Sequence, residues 1–218
     1  MRRIAAIALL LAAVLVLGVA QLVLPGIAAQ RIRTRLSAYG SVRSVQVDAF
    51  PAIELLWHHA EAIHIDLAAY RSGSGQVGSL LHQVTGVDSV DVSAAQLDIG
   101  LLRVRDATLH KRGSALSAAA RVTEADLRAA VPFLDGVVPV ASASGTLILQ
   151  GAATVLGVTA SAQATVGVAD GALIVSPNLP FGALATVTLF SDPHVVVQGV
   201  GAATAPGGFT VSARAVLR

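Results

Sequence analysis

The sequence predicts an α+β, β-rich domain behind an N-terminal membrane segment. Three observations predict it: an apolar run of signal length follows two arginines at the start, period-two alternation dominates from residue 45 onward, and only three later stretches have helical spacing. With 218 residues, 54 % of them hydrophobic and 13 % charged, the chain can bury one good core or two small ones, and one domain is the default. Aromatic residues are scarce, so Ala, Val and Leu carry the apolar surface, and Val with Thr favours strands.

The leader reads MRRIAAIALLLAAVLVLGVAQ, a two-arginine n-region and an apolar run from Ile4 to Ala20. This predicts export. Gly18-Val19-Ala20 is a usable cleavage site, yet LVLPGIAA resumes the run, so residues 1–29 read equally as a cleaved signal peptide or an uncleaved signal anchor. Residues 30–218 form the domain, expected on the extracytoplasmic face of the membrane. Arg2 and Arg3 favour a cytoplasmic N-terminus. Arg31, Arg33 and Arg35 lie just past the apolar segment, as headgroup contacts or as a solvated helix face.

A helix is predicted over 26–38, with Ala28, Ile32 and Leu36 on one stripe and Gly40 ending it. Alternation then marks strands at Val45/Val47, Ile63/Ile65/Leu67, Val90/Val92, Leu97/Ile99/Leu101, 103–110, 115–122, 145–151, 157–168, 172–176, 184–190, 194–200 and 209–217. About ten strands are implied. ADGA at 169–172 and APGG at 205–208 read as hairpin turns, while Pro177, Pro180 and Pro193 mark strand limits. A second helix is predicted over Gln76–Thr85, where Val77, Leu80, Leu81 and Val84 share a face before Gly86. A third begins after Thr123, an N-cap with Glu124 and Asp126 in the first turn, and stops before Pro132.

Several function classes lose their footing. A net charge of +2 without basic runs interleaved with aromatics argues against nucleic acid. Zero cysteines removes disulfides, thiolate zinc sites, a thiol nucleophile and a lipoprotein anchor. LWHHAEAIHIDL at 56–67 gathers three histidines and two carboxylates, but on a strand His64 and Asp66 point away from the face shared by Glu61, Ile63, Ile65 and Leu67. No helical zinc spacing is present, so no metal is expected there. GSGQVG at 73–78 matches the dinucleotide fingerprint, yet no βαβ alternation follows, and it reads as a turn feeding a helix. No cofactor is expected. Without a G-x-S-x-G elbow, catalysis has no positive support, and His64 with Asp66 is the one pair from which an envelope hydrolase could be built.

From Val137 to the C-terminus the only charged side chains are Asp170, Asp192, Arg214 and Arg218. A sheet nearly uncharged on both faces needs a second neighbour, either protein or something apolar such as lipid, or else it is a two-layer domain with a small-residue exterior. The order of elements resembles the LmeA-like family of exported phospholipid-binding proteins of actinobacterial envelopes. The matching stretches are the membrane segment leading into a helix, VQVDAFPAIELLW at 45–57, AIHIDL, ALSAAARVTEADLRAAV at 115–131, VADGALIV and GGFTVSARAVL. Ala49 stands where the family pattern would have Gly, and the insert at 71–86 has no counterpart in it.

The resemblance implies a curved antiparallel sheet wrapped around a helix, similar to tubular lipid-binding folds, with acyl chains in an apolar groove and a role in lipid or lipoglycan maintenance rather than catalysis. Expected groove residues are Phe50, Leu55, Leu56 and Trp57 after the Phe-Pro step and Val77, Leu80, Leu81 and Val84 on a lid-like helix, against plain core packing for each. Trp57 suits a boundary between apolar and wet regions. The expected partners are phospholipid and a membrane surface. The alternative is a structural envelope protein that pairs with other proteins through its uncharged sheet.

Overall fold

The structure, a computed structural model, describes residues 21, 23–50, 55, 59–73, 84–99, 102–130, 135–143, 146–155, 158–178, 186–206 and 208–218. Helix α1 covers 23–36, and a turn at 37–39 leads into β1 (Gly40–Asp48). β2 (Ala60–Ser72), β3 (Val87–Ile99), β4 (Leu102–Arg112) and β5 (Ala115–Val122) follow, then the short helix α2 (Glu124–Ala130). A second set comprises β6 (Asp135–Ala143), β7 (Thr146–Val155), β8 (Val158–Ala169), β9 (Ala172–Pro177) and β10 (Val187–Phe190). β11 (Val195–Ala205) and β12 (Gly208–Leu217) end the chain.

Two curved sheets result. The first has the order β1-β2-β3-β4-β5-β12-β11 and the second β10-β9-β8-β7-β6, so the final hairpin returns to complete the sheet begun by the first half. Twelve strands form where about ten were expected. Val90/Val92 and Leu97/Ile99 turn out to be one strand, β3, and β6, which carries Pro139, lies outside the expected strands. Pro139 is accommodated because β6 is an edge strand, with register irregularities on both sides of the proline.

The first sheet is not wholly antiparallel, as the resemblance implied: β2 and β3 pair in parallel. Parallel neighbours need a crossover of about a dozen residues or more, and the insert between Ser72 and Val87 supplies it. The predicted helix over 76–85 falls in this crossover, of which the structure describes only Gly73 and the turn at 84–86.

Local chemistry accounts for the other elements. Thr123 caps α2: its Oγ1 accepts the Asp126 backbone N–H at 3.2 Å and donates to Asp126 Oδ2 at 2.7 Å. The β8–β9 hairpin turns on Asp170 and Gly171, with φ of 51° and 76°, the left-handed pair a two-residue primed turn requires. The Gly171 carbonyl accepts the Val197 backbone N–H at 2.9 Å, tying this turn of the second sheet to β11 of the first.

α1 lies along β2 and β3. Ala28, Ala29 and Ile32 pack on the cluster Val47, Ala60, Ile63, Val87 and Val90, while Ile32 also reaches the cluster of Leu36, Leu67, Tyr70, Ala94 and Ala107. A third cluster, with Leu149, Ala164 and Val175 fully buried, holds the second sheet against Val200 of β11. The opposite face of the second sheet keeps neutral polar groups such as Gln163, Thr165 and Asn178 at the surface. The predicted signal or anchor falls mostly on residues outside those described, and no helix among the described residues is long and apolar enough to cross a membrane.

Candidate functional site

The apolar face of the first sheet is only partly covered. α1 shields β2 and β3 on one side, Leu173 of β9 and Phe190 of β10 overhang β11 on the other, and a cavity of about 390 Å3 lies between them. Its floor crosses the sheet from Ile65 and Val92 through Leu109 and Ala118 to Ala213 and Val197. These floor residues lie within strands on the inward face, yet all of them except Val197 are only half-buried. The volume falls within the roughly 300–1,000 Å3 of small-molecule sites.

Alanines make the space. Ala118 pairs directly with Leu109 on β4 and with Ala213 on β12, and Ala120, Ala215, Ala94 and Ala107 also line the cavity. A leucine at each would fill it. The lining also changes parity along three strands at the same level: Leu67 to Tyr70 on β2, Ala94 to Leu97 on β3 and Ala107 to Val104 on β4. The paired residues switch together, Leu67 with Ala94 and Ala107, Tyr70 with Leu97 and Val104. Asp106, at φ 47°, is the bulge residue on β4 where the β4–β5 register shifts, and it keeps apolar side chains on the cavity side past the bend.

A family model described as LmeA-like phospholipid-binding matches residues 16–214. The chain belongs to this family. No curated protein and no solved structure matches it. The LmeA-like family is described by a ligand, phospholipid, rather than by a reaction.

In this LmeA-like chain the expected groove residues scatter. Val84 lines the cavity. Leu55 is half-buried against the Val47 cluster under α1. Phe50 is 73 % exposed, outside the cavity, next to Ala49, which packs on the same cluster as Ala28 and Ala29 of α1. Leu56, Trp57, Val77, Leu80 and Leu81 lie outside the described residues. Of the arginines, Arg35 lines the cavity, Arg33 donates from Nη2 to the Arg43 carbonyl at 2.7 Å, and Arg31 is exposed.

The polar face of the same sheet holds a cluster that sequence neighbours do not reveal. His64, Asp91 and His110 are cross-strand partners on β2, β3 and β4. Asp91 Oδ1 meets His110 Nδ1 at 2.6 Å and accepts from Arg112 Nη2 at 3.0 Å, while His64 Nδ1 stands 3.4 Å from Asp91 Oδ2 and its Nε2 3.7 Å from Asp48. The His110 hydrogen bond holds the Asp91 carboxyl below the usual carboxylate range, partial burial opposes it, and Arg112 adds to the lowering. Asp66 accepts instead from Ser93 Oγ at 3.1 Å. Among the described residues no group of three or more such side chains could hold a metal ion. The cluster lies on the face opposite the cavity.

Lys111, the single lysine, is 1 % exposed and sits on the apolar face between Val90 and Leu116. Its ammonium donates to the Val87 carbonyl. Burial lowers its pKa from the ordinary lysine value, and Asp88 offsets part of that.

Proposed function

We propose that this chain is an exported envelope protein that holds the acyl chains of a phospholipid in the cavity, without catalysis, while the end where α1 begins rests on the membrane surface. The first sheet would then be curved around α1 and the lipid, similar to tubular lipid-binding folds, and the role is maintenance of envelope lipid or lipoglycan. One observation carries the reading: a half-buried apolar face at the centre of the sheet, over an alanine floor, in a chain of a phospholipid-binding family. Burying acyl carbons there gains about 0.8 kcal/mol per CH2, which covers apolar surface the protein leaves open to water.

The membrane end draws support from exposed apolar side chains. Val23 and Ile27 on α1 are 48 % and 46 % exposed, and Phe50 is more exposed still. Residues 30–47 contain four arginines and no Asp or Glu, a charge balance suited to anionic headgroups.

Filling the floor tests the reading. Ala118→Phe is expected to weaken displacement of a bound fluorescent acyl probe by phospholipid at least about tenfold, with the thermal transition retained as a check on folding. An Ala118→Phe chain that binds lipid as the wild type does would exclude the cavity as the site.

A further inference from the structure

We infer that Arg35 fixes the phosphate of the bound lipid at the mouth of the cavity, so that the phosphate, and not the acyl chains alone, decides which lipids are held. This rests on the acyl-site reading above. Arg35 is the one charged side chain among the described lining residues. The rest of that lining is apolar apart from the Thr108 hydroxyl and the Tyr70 phenol, and it contains no carboxylate. A cavity with nothing but apolar walls would take a neutral glyceride as readily as a phospholipid; a guanidinium at its rim separates the two.

The helix sets this geometry. Ile32 and Leu36, four residues apart, pack onto the sheet, and Arg35, three residues after Ile32, flanks that packed stripe. Arg35 lines the cavity and is nonetheless exposed, a combination an arginine reaches by laying its aliphatic stem on an apolar wall and keeping its charged head in water. The planar fork of guanidinium matches two phosphate oxygens.

Arg31 precedes Arg35 by four residues, on the same side of α1. A phosphate held by Arg35 has a second positive charge about one helical turn away. Arg33 faces elsewhere, bound to the Arg43 carbonyl. The occupant is therefore one phospholipid, with acyl chains over the alanine floor and the phosphate at α1.

The test compares two ligands with identical chains on the full-length protein: dioleoyl phosphatidylglycerol and dioleoylglycerol, each displacing a fluorescent acyl probe, with inorganic phosphate as a third competitor. Wild type is expected to prefer the phosphate-bearing lipid, Arg35→Gln to lower that preference about tenfold, and Arg35→Lys to lower it less because charge remains without the fork. Inorganic phosphate is expected to displace nothing. An unchanged preference in Arg35→Gln, or an equal loss for both lipids, overturns the assignment of Arg35 and leaves the acyl site standing; displacement by inorganic phosphate overturns the lipid as the source of the anion. If neither lipid displaces the probe from wild type, the acyl-site reading itself falls.

Discussion

Lys111 and Asp91 show how single side chains on opposite faces of one sheet answer differently to pH. For Lys111 the folded pKa is depressed, so the native state sheds its proton before the unfolded chain does, and stability rises as pH climbs from the folded pKa towards the unfolded value near 10.5. Lys111→Met removes that rise and leaves the Val87 carbonyl without its ammonium donor; urea melts from pH 8 to pH 10 should slope upward in the wild type and stay flat in the variant. For Asp91, also depressed, the contribution is present above the unfolded value of 3.8 and is lost as pH falls through the lower folded value. Asp91→Asn should therefore flatten the pH dependence of urea melts taken on the acid side, from about pH 5 downward, by a small amount because the cluster is open to water. Neither arrangement was legible in the sequence. His64, Asp91 and His110 are far apart along the chain and meet only through strand register, and Lys111 looks like a surface charge until β4 is placed with Ala107, Leu109 and Lys111 inward.

At the level of elements, alternation did most of the work. It located the strands because each buries one face, and capping chemistry located α2 within a residue. Alternation carries no information on strand direction, so the parallel β2–β3 pair had to come from the structure, although the length of the insert was a usable clue. The parity change in β3, from Val90 and Val92 to Leu97 and Ile99, was visible in the sequence as two runs, and it marks a bend rather than a break. Two substitutions probe this level. Thr123→Ala should cost about 1 kcal/mol by loss of the α2 cap, read from chemical denaturation. Gly171→Val should cost about 1–2 kcal/mol, because a β-branched residue must take φ 76° and its Cβ would meet Val196 Cγ1 at 3.1 Å.

For the molecule as a whole, the absence of charge in the second half matches one of the causes it suggested, a sheet packed on more of the same protein with an uncharged exterior. The second sheet finds its neighbour in β11 and keeps an uncharged polar exterior, while the cavity is floored mainly by β2 to β5 and β12, whose alanines looked like filler. Alanine is uninformative in one dimension; across four adjacent strands it becomes a volume. Native mass spectrometry with lipid extraction, on the protein purified from a membrane-containing lysate, shows whether this volume holds phospholipid. About one phospholipid per chain is expected, absent in Ala118→Phe. A lipid-free chain that runs as a stable oligomer would contradict it and turn the uncharged sheet into a protein interface.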